Sequence, residues 1–338
     1  MKHLDKLKAG DTIGIFSPSS PITYSSPKRF ERAMKYLSEK GFQIIEGKLT
    51  GKYDYYRSGS IKDRAEELNE LIRDPEVKCI MSTIGGMNSN SILPYIDYEA
   101  LKKNPKIIIG YSDVTAILLA IYAQTGIITY YGPALVASFG EFPPYVDETF
   151  QYFKEILMDE TVIPYTFEPP EHWTEEHIKW ETQDRSKEKR KNEWVTVFDG
   201  VIRGRVIGGN LNTIQGIWGS KYMPEIKNGD ILFIEDSLKD IATVERSFSF
   251  LKVNGVFEKI SGIILGKHEL FDDSKTGRKP YEVLLEVLGE RKLPFIADFD
   301  CSHTHPMLTL PIGCEIELNA TDKKISIIED WSSSCIDT

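Results

Sequence analysis

At 338 residues the chain is too long for one ordinary compact core and suits two domains. Hydrophobic residues at 41% and charged residues at 27% mark a folded globular protein and exclude a disordered one. The formal charge of -10, with no basic stripe to meet phosphates, argues against nucleic acid as a partner.

The first half alternates strand and helix signals. A β-rich run over 12–16 ends in the loop Ser17-Pro18-Ser19-Ser20-Pro21, and Pro27 opens a helical pattern through Leu37 that Gly41 closes. A strand over 42–45 follows. Ser60-Ile61-Lys62-Asp63 then starts a helix with Ala65, Leu68, Leu71 and Ile72 on one face. Residues 79–84 form a buried strand, Gly85-Gly86 a turn, and Ile92-Leu93 a helical piece. Another buried strand spans 106–109, and a helix runs from Val114 to Ala123 and stops at Gly126. Such alternation predicts a parallel sheet covered on both faces.

Between Pro169 and Trp194 the chain is crowded with Glu, Lys and Arg and holds Trp173, Trp180 and Trp194, the character of a linker or lid. The expected division is a first domain over 1–168, this charged segment over 169–196, and a second domain over 197–338. In the second half, 201–207 reads as a strand, followed by Gly208-Gly209-Asn210 and a short helix, and 230–235 as a strong strand. A helix (242–253), a strand (262–265), a helix (281–288) and a terminal hairpin around Asn319-Ala320-Thr321-Asp322 complete it. This pattern predicts α+β with a smaller sheet beside the first domain.

The N-terminus has no apolar signal region, and runs such as Ile107–Ile109 are too short to span a bilayer, so no membrane partner is expected. Cys79, Cys301, Cys314 and Cys335 lack C-x-x-C spacing and read as unpaired thiols of a reducing, cytoplasmic compartment.

Four segments bear chemistry. In Ile109-Gly110-Tyr111-Ser112-Asp113 a buried strand runs directly into a helix, so Ser112 sits on a sharp turn at a helix N-terminus. That is the context of a nucleophile elbow, although Val114 stands where G-x-S-x-G has glycine, and Ser112 serves equally well as a helix cap. Gly85-Gly86-Met87-Asn88 can aim backbone N–H groups into a cavity, each worth about 3–4 kcal/mol to an oxyanion in the transition state, or be an ordinary turn. It is not G-x-G-x-x-G, which removes the main support for dinucleotide binding. Glu235 and Asp236 end a strand; either can orient an imidazole, and either can be solvated. Asp300-Cys301-Ser302-His303-Thr304-His305 holds two of six histidines. No zinc pattern accompanies them or His268, Glu269, Asp272 and Asp273, so a general base is the better use for one of them, and neither a metal nor a cofactor is expected.

In order along the chain, Gly85-Gly86-Met87-Asn88-Ser89-Asn90, Gly110-Tyr111-Ser112-Asp113, Gly208-Gly209-Asn210-Leu211, Ile231–Asp236 and His303 with Leu308-Thr309-Leu310-Pro311 resemble the LD-carboxypeptidase family of serine peptidases. Gly86–Asn90, Trp180 and Leu211–Gly216 most resemble its microcin C immunity branch. The resemblance implies an α/β fold with an N-terminal Rossmann-like parallel sheet domain, a C-terminal swivelling or barrel-like domain, and a homodimer. It implies Ser112 as nucleophile, Glu235 as orienting acid and His303, rather than His305, as base, with the N–H groups of Gly86 and Asp113 forming the oxyanion hole. Ser302 stands where the family usually has glycine. The expected substrate is an aminoacyl- or peptidyl-nucleotide, bound by Trp180 stacking on the base and by Asn212, Lys239 and Glu269; a muropeptide of cell-wall recycling is the rival.

Overall fold

The structure is a computed structural model and describes residues 2–334, so Cys335 lies outside the described residues. The first sheet is assembled from β1 (Thr12–Phe16), β2 (Gln43–Glu46), β3 (Val77–Ser82), β4 (Ile107–Gly110) and β5 (Thr129–Tyr131). Between them run α1 (Pro27–Glu39), α2 (Ile61–Arg73) and α3 (Thr115–Thr125). These five strands are parallel, in the order β5-β4-β3-β1-β2. Ile107, Ile108 and Ile109 are buried because helices cover both faces, as an uninterrupted apolar run requires. The start of α2 is fixed locally: Ser60 Oγ accepts the Asp63 N–H and the Asp63 carboxylate accepts the Ser60 N–H, a reciprocal capping box.

The second sheet contains β6 (Tyr165–Phe167), β7 (Val195–Phe198), β8 (Val201–Asn210), β9 (Ile231–Glu235), β10 (Gly262–Gly266) and β11 (Phe295–Phe299), followed later by β13 (Glu315–Asn319) and β14 (Lys324–Ile327). Between β11 and β13 comes β12 (Leu310–Ile312), which leaves this sheet and pairs antiparallel with β5 at the edge of the first. The second order is β7-β11-β10-β9-β8-β13-β14-β6, with β8 to β11 mutually parallel. Both sheets are open, so neither domain is a closed barrel.

Two expectations need correction. The second sheet is not the smaller, having eight strands to the first sheet's six. It gains β6 and β7, which flank the charged segment and are too short to show a hydrophobic period. Nor does the strand expected over 201–207 end there; β8 continues through Asn210. A Cβ on Gly208 would lie 1.7 Å from the Phe233 carbonyl oxygen, so glycine there permits β8 and β9 to approach rather than ending the strand.

Helix α3 joins the two halves. It is apolar around most of its circumference and almost wholly buried, as a helix packed on every side must be. It touches β4, β5 and β12 of the first sheet and β8 of the second. Its N-terminal end, where Ser112 lies, is therefore held at the junction of both sheets' carboxyl ends. Cys79, Cys301 and Cys314 are buried and unpaired. Among the described residues no helix is long and apolar enough to cross a membrane.

Candidate active site

Strand β4 ends at Gly110, and a single turn of 3-10 helix, Ser112–Val114, leads into α3. Ser112 has φ 62°, a left-handed conformation that a residue with a side chain adopts only where its surroundings impose it. The corner is held on two sides. The Ser112 N–H donates to the Tyr131 hydroxyl at 3.0 Å, and Thr115 Oγ1 donates to the Ser112 carbonyl at 2.6 Å. Gly85 packs so closely that a Cβ there would stand 3.0 Å from Asp113 N and 3.1 Å from Ser112 Oγ. Only glycine brings that turn against the serine. The Asp113 carboxylate, itself buried, accepts the N–H groups of Asn88 and Ser89 at 3.0 and 2.9 Å and ties the glycine turn to the corner.

Residues nearly 200 positions apart meet here. Ser112 Oγ lies 2.9 Å from His303 Nε2, and His303 Nδ1 lies 2.7 Å from Glu235 Oε2. A carboxylate only accepts, so the proton sits on Nδ1 and Nε2 is left to accept from the serine hydroxyl. The other oxygen, Glu235 Oε1, accepts from Tyr131 at 2.5 Å and from Asn210 Nδ2 at 2.9 Å. Tyr111 holds the imidazole edge-on, with ring centres 5.0 Å apart. Burial alone pushes Glu235 up, but the charge of His303 and the hydrogen bonds from His303, Tyr131 and Asn210 outweigh it and hold the carboxylate below its usual range. Burial likewise pulls His303 down, and the Glu235 charge and hydrogen bond overcome it, raising the imidazole above its ordinary value of 6.5.

The structure separates the paired candidates. It is Glu235 that meets the His303 ring, whereas Asp236 Oδ1 accepts from Asn210 Nδ2 and the Ser237 N–H; burial and the Glu235 charge push Asp236 up to about 6. His305 lies 3.7 Å from Glu141 and makes no hydrogen bond to Ser112, and burial together with Lys187 keeps it well below the ordinary histidine value. His268 is brought down to about 4 by burial and accepts the Lys239 N–H through Nε2.

Ser112 and His303 open into a cavity of about 340 Å3. Gly86, Trp180, Asn212, Lys239 and Glu269 line it, so every side chain singled out for substrate contact reaches the same space. Asn212 enters from the short helix Leu211–Gln215, whose N-cap Asn210 accepts the Thr213 N–H. Lys239 and Glu269 share a rim because residues 237–240 run beside 269–272: Leu238 N–H donates to the Glu269 carbonyl and Asp272 N–H to the Lys239 carbonyl.

The charged segment folds over this cavity. Thr174 and His305 exchange both backbone hydrogen bonds, at 2.8 and 3.1 Å. Gln183 and Lys187 are buried, and the Arg29 guanidinium lies over the Trp180 ring, 4.4 Å from its centre. Asn210 enters from the sequence only as part of a motif, without a role, and Tyr131, Lys187 and the Arg29–Glu141 pair are not singled out. Glu141 left a faint signal, being a lone charge inside an otherwise apolar stretch; Arg29, one of several charges over 28–35, left none, and neither did Tyr131, since a tyrosine in a strand is ordinary core.

Two sequence profiles match, the LD-carboxypeptidase N-terminal domain over residues 13–132 and the LD-carboxypeptidase C-terminal domain over 203–318. A putative carboxypeptidase of Vibrio cholerae is 60% identical over 98% of this chain and 99% of its own. The microcin C7 self-immunity protein MccF of Escherichia coli is 57% identical over 97% of this chain and 96% of its own. The structure of MccF in complex with aspartyl sulfamoyl adenosine superposes with a TM-score of 0.96 over 98% of this chain and 100% of that one, and MccF has also been solved with glutamyl sulfamoyl guanosine. With both profiles matched in order and full-length relatives at this identity, the chain belongs to the LD-carboxypeptidase family of serine peptidases.

Proposed function

We propose that the protein hydrolyses the amide bond joining an aminoacyl or peptidyl group to a sulfamoyl- or phosphoramidate-linked nucleoside, and so detoxifies antibiotics of the microcin C type. The observation that carries this reading is the unbroken hydrogen-bond chain from Ser112 through His303 to Glu235, opening into a cavity lined by Trp180, Asn212 and Lys239. The ligands of MccF are nucleosides of this class.

Ser112 Oγ attacks the acyl carbonyl carbon while its proton passes to His303 Nε2. Glu235 holds the imidazole in the tautomer that accepts this proton and stabilises the imidazolium. The backbone N–H groups of Gly86 and Asp113, on two turns in contact, take the negative charge that grows on the carbonyl oxygen. Collapse breaks the C–N bond, and the sulfamoyl or phosphoramidate nitrogen leaves with the proton from His303, carrying the nucleoside with it. Water then attacks the acyl-serine, gives its proton to His303, and releases the acid and free Ser112. Trp180, one face covered by Arg29, offers the other to the base, a stacking contact worth about 1–3 kcal/mol. Lys239 and Asn212 meet the sulfamoyl or phosphoryl oxygens, and Glu269 a polar group of the acyl part.

Three buried, unpaired thiols suit a reducing cytoplasm, and a homodimer completes the reading. The test is incubation with an aminoacyl-sulfamoyl adenosine and, separately, with a muropeptide tetrapeptide, followed by mass spectrometry. Cleavage of the nucleoside alone is expected; cleavage of the tetrapeptide alone would assign the protein to cell-wall recycling instead.

A further inference from the structure

On one wall of the cavity two buried cations share a single carboxylate. Glu141 Oε2 lies 2.9 Å from Arg29 Nη2 and 3.2 Å from Lys187 Nζ, and none of the three side chains is more than 5% exposed. Among the described residues no other carboxylate comes within ion-pair distance of either cation. Glu269, on the same cavity, acts on Lys187 only from beyond ion-pair distance, so within that distance two buried cations have one carboxylate between them, a costly state unless a bound group brings a second counter-ion. Arg29 is engaged inward: it donates to Val136 O, Ala137 O and Gln183 Oε1 as well as to Glu141. Lys187 is the one of the two that lines the cavity.

His305 lines the same cavity, its side chain only 8% exposed. Its Nε2 faces Glu141 and its Nδ1 has no hydrogen-bond partner. Buried polar atoms in native proteins are nearly always paired, so an orphan on the wall of a substrate cavity marks where a ligand atom docks. Burial and the Lys187 charge keep the ring neutral. With the Nε2 proton directed at Glu141, Nδ1 is an acceptor and calls for an N–H. The wall thus presents a cation and, beside it, a hydrogen-bond acceptor.

We infer that Lys187 and His305 form the subsite that reads an acidic residue at the acyl side of the scissile bond. Lys187 takes the side-chain carboxylate as its missing counter-ion, and His305 Nδ1 accepts from the α-nitrogen of the same residue, ammonium or amide. The aspartyl and glutamyl groups on the MccF ligands have this chemistry. The subsite rests on the functional reading given above.

The test compares kcat/KM for aspartyl-sulfamoyl adenosine with that for its asparaginyl counterpart, in the full chain and in Lys187→Met and Lys187→Arg. The ratio is the readout because a loss of folded protein cancels from it. The unaltered protein is expected to favour the aspartyl substrate on the order of tenfold or more, the usual scale for a buried charged hydrogen bond. Lys187→Met should bring the ratio close to one, and Lys187→Arg should keep it well above one. A ratio near one in the unaltered protein, or one that Lys187→Met leaves unchanged, overturns the subsite while the functional reading stands. If neither nucleoside is cleaved, the functional reading fails and takes the subsite with it.

Discussion

The hydroxyl of Tyr131 donates to Glu235 Oε1 at 2.5 Å, and the Tyr131 hydroxyl oxygen in turn accepts the backbone N–H of Ser112 at 3.0 Å. One buried side chain thus spans both ends of the Ser112–His303–Glu235 chain. It steadies the left-handed corner at the serine and occupies the carboxylate oxygen that the imidazole leaves free.

Replacing Tyr131 with Phe should weaken that alignment. The lost hydrogen bond to a charged group is worth about 2 kcal/mol, or roughly thirtyfold in kcat, with little change in KM. With one donor fewer, Glu235 holds the imidazolium more firmly, so the acid limb of the kcat/KM profile should move to higher pH. Tyr130, whose hydroxyl donates to the Trp331 carbonyl at 3.2 Å, is the control: Tyr130→Phe should leave that limb in place. A Tyr131→Phe profile superposable on the original would leave the residue with a packing role alone.

Ser112→Ala should abolish turnover, by at least about a thousandfold, while retaining substrate affinity in a calorimetric titration. Glu235→Gln keeps the shape but offers the imidazole a donor where it needs an acceptor, so a loss on the order of a thousandfold is expected. Progress curves followed by mass spectrometry check both. Substantial turnover by Ser112→Ala would assign the nucleophile elsewhere.

The pH dependence follows from His303. The imidazole must be neutral to take the serine proton, and Glu235 raises its pKa above 6.5. Activity should therefore climb with pH and reach half its plateau above 6.5, falling away as the pH drops and the imidazole charges. In Glu235→Gln the supporting charge is gone, and the midpoint of the residual activity should shift down. A midpoint below 6.5 in the unaltered protein contradicts the assignment of His303 as base.

Trp180→Ala removes the stacking surface and should raise KM for a nucleoside substrate about tenfold, in line with the 1–3 kcal/mol of such contacts. Because Arg29 packs on the other face of the ring, a thermal melt of the variant separates lost stacking from lost folding.

Gly208→Ala tests the junction of β8 and β9. With the Phe233 carbonyl oxygen 1.7 Å from any Cβ, the strands must part, costing a few kcal/mol. A denaturant midpoint equal to that of the unaltered protein would mean that the backbone adjusts freely.

Much of the architecture was legible along the chain. The apolar runs at 107–109 and 231–234 had to be buried strands, Ser60 and Asp63 had to cap a helix, and Asn319 to Asp322 had to turn a hairpin, because each depends on residues only a few positions apart. Even the corner at Ser112 could be read, since a strand meeting a helix without a loop leaves no other conformation. Assigning Glu235 and His303 to it took the family resemblance, for nothing local distinguishes Glu235 from Asp236 or His303 from His305.

The physical reason behind those choices lies in the tertiary structure. Which carboxylate oxygen meets the ring, which histidine stays neutral beside Lys187, and which tyrosine bridges serine and acid depend on contacts between residues about 20 to 190 positions apart. The same holds for β6 and β12, short strands that cross to the sheet of the other half. Local propensity and periodicity are set by near neighbours, whereas pKa values, charge balance and edge pairing are set by what the folded chain brings alongside.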